Sequence, residues 1–359
     1  MACVEEEDDI YPEPFLYDEA KEFAEMEADH AARLLKEAEE TRKEEERRRR
    51  GAAHQAVLDS ILERDPKTGR EVYTRYSFTD FSSFDIDEEW YIRGLNLEDS
   101  ANIHSIKIVF SDRGFPINVY GTIIARDNVD HKCIYIFNRH KKDCQTINSE
   151  EESLVLTGPD RGLVLLDFIY LEMNLKIKVD REPQDQQISK GLLSIDGRVQ
   201  PRDEKINVGS QTLKSWLSFV EVKYTTVLNA VEGTFEIELL EGHFCGKIKA
   251  SIEDVEEKIV IHNSEEDGVV TSSGDGTVIK LQRRVLTICL GRMLTFELTS
   301  KGCSLCGCLG APDATIERSV EFTPQRCGQE EAEVSCGAGN KLLVKVVLSL
   351  MDILGRSSY

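Results

Sequence analysis

From residue 102 onward the chain alternates between apolar and polar positions with a period of two. Ile106, Ile108 and Phe110 share one face with Lys107 between them, and Val119 to Ala125 does the same around Gly121. Cys133 to Phe137 is a nearly continuous apolar and aromatic run of strand length, and Leu163 to Leu166 is a shorter one. Leu171 to Ile177 carries Glu172, Asn174 and Lys176 at every second place. Short runs of this kind, spaced about 8 to 12 residues apart by Gly, Pro, Asn and Asp, predict a mainly β body of sandwich or barrel-like architecture. Residues 18–50 follow another code: they contain no Gly or Pro and are rich in Ala, Glu, Lys, Arg and Leu, which predicts a helix. Phe23, Met26, Leu34 and Leu35 do not sustain an a/d seam over three heptads, so this is a charged helical arm, partly disordered, before it is a coiled coil. A second amphipathic turn at Val57, Leu58, Ile61 and Leu62 stops before Asp65-Pro66. The aromatic residues of the next segment, Tyr73 to Trp90, require burial against the body.

The β region also repeats. Gly121-Thr122-Ile123-Ile124-Ala125 matches Gly246-Lys247-Ile248-Lys249-Ala250, an offset of 246 − 121 = 125, and Ile134–Asn138 matches Ile259–Asn263 at the same offset. Ser105–Ile108 resembles Val220–Lys223, Asp160–Leu165 resembles Gly274–Ile279, and Ser189–Ile195 has a looser echo in Glu317–Phe322. The expected organisation is an acidic tip and charged arm over 1–65 and an aromatic connector over 66–101. Tandem β repeats follow over 102–215 and 216–352, then a tail over 353–359.

Charge narrows the partners. The 359 residues hold 44 Lys+Arg against 66 Asp+Glu, a formal charge of −22. Half of it lies in Met1 to Asp29, where twelve acids face one base (1 − 12 = −11). Such a surface disfavours nucleic acid and anionic lipid, both of which need a basic face, and leaves a protein as the expected partner. No apolar run reaches the roughly 18 residues that a membrane helix needs. Met1 to Asp9 carries five acids and no base, unlike a secretory leader, so the expected compartment is the cytoplasm. Arg47 to Arg50 keeps the nucleus open, although Glu44, Glu45 and Glu46 before it read as the end of a helix where cations meet the dipole.

Candidate chemistry is sparse. There is no Gly-x-Ser-x-Gly elbow, no histidine pair at metalloprotease spacing, and the glycines of Gly242 to Lys247 are one short of a phosphate loop. His104, His131 and His140 are expected at the surface or at strand edges. Glu150–Glu152 and Glu265–Asp267, each preceded by a serine, read as matching solvated loops. The metal candidates are Cys303, Cys306 and Cys308, with Cys327 and Cys336 downstream; a structural zinc competes there with free thiols. No catalytic residue and no cofactor is assigned.

Two strings carry a resemblance: Leu58 to Arg70 followed by Tyr73 to Asp85, and Pro116 to Asp127 with Leu156 to Leu163. They are similar to a plant domain of unknown function, number 6598, expanded in grasses. That domain also looks like the C-terminal half of a jasmonate-induced protein whose N-terminal half is a ribosome-inactivating N-glycosidase. The resemblance implies a stress or defence context and brings no catalytic residues. The reading is a non-catalytic interaction module; the alternatives are a translation-linked RNA or cap binder, or a domain associated with ribosome-inactivating proteins, and an unrecognised hydrolase with its site between the two copies.

Overall fold

A computed structural model describes residues 18–82, 84–89, 95–96, 98–179, 185–199, 204–272, 274, 276–301, 315–337 and 339–352. The chain forms two compact units: residues 1–57 with 80–82, and residues 58–79 with 83–359.

The first unit is built on α1 (Glu19–Ile61), a helix of 43 residues. No residue of α1 is buried before Ile61, as its sparse apolar positions require. Its i,i+4 pairs, such as Glu39 with Lys43 at 2.7 Å, are solvent-exposed. The short segment 80–82 closes on the helix. Arg50 Nη2 meets Asp80 at 2.6 Å, the Phe81 N–H donates to His54 Nδ1 at 3.2 Å, and the Phe81 ring stacks on His54 at 5.6 Å.

Among its described residues the second unit is mainly β, with the last helical turn, a 3₁₀ turn at Lys141–Asp143 and one short α-helix besides. Its larger strands are β1 (Glu98–Ser111), β2 (Ile117–Arg126), β3 (Ile134–Arg139), β4 (Phe168–Ile177), β5 (Gln186–Asp196), β6 (Ile206–Ser215) and β7 (Ser218–Glu241). They continue with β8 (Gly246–Ile252), β9 (Ile259–Asn263), β10 (Val285–Cys289), β11 (Leu294–Lys301), β12 (Thr315–Phe322), β13 (Gly328–Ser335) and β14 (Lys341–Ser349). All their ladders are antiparallel.

One sheet runs β5-β4-β2-β3 and another runs β12-β11-β8-β9, the same order of chain-equivalent strands. Each sheet packs its apolar face on part of a third, eight-stranded sheet built around β7. Two cores result. The first gathers Ile103, Ile106, Val119, Ile123, Phe137, Leu171 and Val222, and the second gathers Phe235, Ile237, Ile248, Ile261, Phe296 and Val344.

The hinge of this arrangement is β7, 24 residues long. Its first half pairs with β1 and β6, and its second half with β10 and β14. Between the halves Asn229 adopts φ 49°, a left-handed conformation that Asn tolerates, and the register against β1 slips there. The position 215/216 lies in the tight β6–β7 hairpin, and β7 then serves the first core before it serves the second.

Three expectations need correction. No sheet closes into a barrel among the described residues: the strand orders end on β5 and β3, and on β12 and β9. Closure would require those edges to pair with one another. Next, Val220–Lys223 is not the counterpart of Ser105–Ile108. The two segments face each other as ladder partners, Val222 opposite Ile106 and Val220 opposite Ile108, and neighbouring strands that share one core carry similar alternation. Finally, the two acidic clusters occupy different stations. Glu265–Asp267 forms the short helix α2 (Ser264–Asp267) directly after β9, whereas Glu150–Glu152 follows an extra short strand, Gln145–Ile147.

The connector is held by buried charge. Glu172 on β4 accepts Arg126 Nε at 2.6 Å, Arg75 Nε at 2.9 Å and the Tyr76 N–H at 2.9 Å. Tyr76 also packs on Tyr170 at 4.5 Å and on His131 at 5.1 Å, so this part of the aromatic segment lies against the first lobe, whereas Tyr73 is exposed and Phe81 packs on His54. Asp127 forms a two-pronged pair with Arg161, at 2.5 and 2.9 Å, and Oδ2 takes the Val164 N–H at 3.0 Å. Arg75, Arg126, Asp127 and Arg161 all lie in the strings that carry the family resemblance, and their work here is structural.

Candidate functional site

Where β1 meets β10, buried polar side chains form a layer. On β1, Ile103 enters the first core while Asn102 and His104 engage other partners. The Asn102 amide donates to the Thr287 carbonyl at 2.7 Å and accepts the Thr287 N–H at 2.9 Å, tying β1 to β10 across the lobes. His104 Nε2 lies 2.8 Å from Thr225 Oγ1, and its Nδ1 is buried without a hydrogen-bond partner. His104 is 8% exposed, so it is an interior residue and not the surface histidine expected from the sequence.

Arg283 enters this layer from the second lobe. The alternation Ile279, Leu281, Arg283, Val285 faces inward, and it places a guanidinium at an apolar station where only 2% of the residue is exposed. Nε donates to the Val285 carbonyl at 3.1 Å, and Nη1 donates to the Ile103 carbonyl of the other lobe. Nη2 has no hydrogen-bond partner. Among the described residues no carboxylate pairs with Arg283. Burial pulls its pKa down to about 9. Burial first, and then the Arg283 charge, hold His104 down at about 3, so its imidazole is neutral at ordinary pH.

Both residues line a cleft of about 240 Å³ between segment 153–156 of the first lobe and strands β8 and β9 of the second. Its other charges have partners: Lys247 meets Glu265 at 3.2 Å, Lys258 meets Glu297 at 2.6 Å, and Glu266 faces Arg139 at 3.9 Å. Leu154, Leu156 and Ile259 supply apolar wall. A second hollow of about 360 Å³ on the second lobe is lined by Val278, Val347 and Lys345. Lys345 is already paired with Glu236 and Glu238.

Next to the cleft, Ser264, His262 and Asp267 have the connectivity of a hydrolase triad without its working geometry. Ser264 Oγ lies 3.1 Å from His262 Nε2 and accepts the Gly246 N–H at 3.1 Å. His262 Nδ1 points at the Lys280 carbonyl, 3.0 Å away, with Asp267 Oδ2 farther off at 3.7 Å and engaged by Gln282 at 2.8 Å. His262 is fully buried, and neither it nor Ser264 lines the cleft. A nucleophile must face a reacting carbon and oxyanion donors. This chain of bonds instead ties α2 to β8.

Burial pushes the thiols of Cys133, Cys289 and Cys336 up, which keeps them protonated and poorly nucleophilic. Cys303, Cys306 and Cys308 lie outside the described residues, as does Trp90. Among the described residues no group of three or more His, Cys, Asp or Glu side chains could hold a metal ion. Trp216 occupies the left-handed corner of the β6–β7 hairpin at φ 47°, its N–H donating to Asp65 at 3.3 Å. His140 is exposed and His131 half-buried. No helix among the described residues is long and apolar enough to cross a membrane. The residue that sequence reasoning passed over is Arg283; the available signal was a basic side chain at an inward place of a period-two apolar run.

No curated protein matches the chain. Solved structures with some similarity include human GIVD cytosolic phospholipase A2, at 10% identity and a TM-score of 0.22, covering 71% of this chain and 33% of that one. The same enzyme with methyl gamma-linolenyl fluorophosphonate inhibitor and terbium chloride gives 11% identity and a TM-score of 0.23, covering 69% and 32%. The chain thus spans about a third of the length of these structures, and overlap at that level establishes no shared fold. A family model does match over residues 100–346, the two β lobes described above, and the chain belongs to that family, Domain of unknown function (DUF6598).

Proposed function

We propose that the protein is a non-catalytic interaction module: a duplicated β unit that displays a charged helical arm to a protein partner. The observation that carries the reading is α1. Its Phe23, Met26, Leu34 and Leu35 are all more than half exposed on a helix that buries nothing before Ile61. A helix polar nearly all round persists either by spanning between bodies or by offering itself to a partner. The duplication is supported by the matching order of four strands in the five-stranded and the four-stranded sheet and by the 125-residue offset between their glycines. The engagement of His262, Ser264 and Glu172 in structural bonds favours binding over hydrolysis.

The resemblance to a plant family, and to the C-terminal half of a jasmonate-induced protein, supports a stress or defence setting, with the cytoplasm as the working compartment and the nucleus as the alternative. The acidic tip supports a partner with a basic face. Affinity capture from source tissue with the full chain and with a chain lacking residues 1–57 tests the reading. Partners held by the full chain and released by the shortened one are expected. Identical partner sets from both chains would place binding on the β body and remove the arm's role.

A further inference from the structure

We propose that the cleft between the lobes receives a small organic carboxylate, its carboxylate bound by Arg283 and His104 and its apolar body lying against Leu154, Leu156 and Ile259. The site is independent of the docking role of the arm.

The first support is a pair of unmet donors on two different lobes. Arg283 uses Nε and Nη1 on main-chain carbonyls and leaves Nη2 bare, while His104 leaves Nδ1 bare. If Nε2 accepts the Thr225 hydroxyl proton, the neutral imidazole carries its own hydrogen on Nδ1. Both orphan atoms are then donors. A buried polar group without a partner is costly, and a buried guanidinium without a counter-ion more so. In the first lobe buried arginines are satisfied with carboxylates, Arg126 with Glu172 and Arg161 with Asp127. Arg283 lacks that complement, and a carboxylate from outside the chain has the charge and planarity to supply it.

The second support is the cleft itself. Its lining lysines, Lys247 and Lys258, are already paired with Glu265 and Glu297, and its one lining carboxylate, Glu266, is drawn toward Arg139 and the Asn263 amide, which leaves Arg283 as the lining charge without a counter-ion. An anion is therefore favoured although the whole chain is strongly negative. At about 240 Å³ the space falls just below the usual range for small-molecule sites, and its mixed wall suits a ligand with one charged end and a short hydrocarbon body. A phosphate dianion would leave most of its oxygens facing aliphatic side chains. Both donors are covered from solvent, so the ligand must part the wall to reach them, and affinity is correspondingly modest.

Calorimetric titration of the full-length protein with sodium hexanoate, and in parallel with hexanamide and inorganic phosphate, tests the proposal. Hexanoate is expected to bind saturably and hexanamide at least about tenfold more weakly, since only the former meets the cation. Arg283→Gln is expected to abolish hexanoate binding. Because Arg283 also ties the two lobes, a second variant, Val155→Trp, fills the cleft without touching either donor. It should keep the wild-type unfolding midpoint and lose hexanoate. The proposal is overturned if hexanoate shows no saturable binding at tens of millimolar. It is equally overturned if hexanamide or phosphate binds as well as hexanoate, or if Val155→Trp binds unchanged.

Discussion

Gly121 on β2 and Gly246 on β8 occupy the same station in two different sheets. A side chain on Gly121 would run into the carbonyl oxygen of Asn174 on β4, and one on Gly246 into the carbonyl oxygen of Thr299 on β11. Each glycine is paired across the ladder one residue further on, Gly121 with Leu175 and Gly246 with Ser300, and 300 − 175 is again 125. Two residues beyond each glycine the register slips against the outer strand, after Ile123 in one sheet and after Ile248 in the other. The glycines let neighbouring backbones close up where the strands bend, which explains a residue that otherwise weakens a strand interior.

Gly121→Ala and Gly246→Ala should therefore each destabilise the protein by about 1–3 kcal/mol or more, Gly121→Ala by the larger amount. Gly121 carries the added cost of φ 121°, which a side chain rarely tolerates. Urea midpoints of the two variants decide the matter. A neutral effect of either would mean that the backbone there is not closely apposed.

Glu172 holds two guanidiniums and the Tyr76 N–H, and Arg126 is wholly buried beside it. Glu172→Gln keeps the shape and removes the charge, leaving a buried cation unpaired, so a loss of about 3–5 kcal/mol is expected. Asp87 pairs with the same Arg75 from a largely exposed position, and Asp87→Asn should cost no more than about 1 kcal/mol. Equal losses from the two variants would contradict this account of the connector.

The pKa of His104 is about 3 in the fold against an ordinary value near 6.5. Above about pH 6.5 neither state carries the proton, and the residue leaves stability unchanged. As pH falls from there toward about 3, the unfolded chain takes up a proton that the fold refuses, and stability drops by up to about 1.4 kcal/mol per pH unit. His104→Gln removes this term. Unfolding free energies at about pH 7 and about pH 5 should show a steeper loss for the wild type than for the variant. Parallel slopes would place His104 in contact with water.

Most of α1 contributes little to the stability of the β unit, because its ion pairs are exposed and worth about 0.3–0.5 kcal/mol each. Removal of residues 1–49 should reduce the helical signal in far-ultraviolet circular dichroism and leave the thermal midpoint of the β unit in place. A midpoint lowered by several degrees would show that the arm packs on something it needs.

Alternation with period two announced β1, β2 and β4, and the run of helix formers over 18–50 announced α1, since each of these patterns records only which side of an element meets water. The repeated glycine strings were legible for the same reason: backbone apposition is a local demand that one residue type meets. What the sequence could not carry was the identity of the facing strand. Ser105–Ile108 and Val220–Lys223 look alike as copies would, yet they are partners in one ladder, and β7 bends at Asn229 to serve both cores. Nor does any local pattern reveal that Arg283 ends at the Ile103 carbonyl, 180 residues away, without a counter-ion. Such pairings follow from how whole sheets stack and which polar atoms that stacking leaves over, quantities that exist only once the chain is folded.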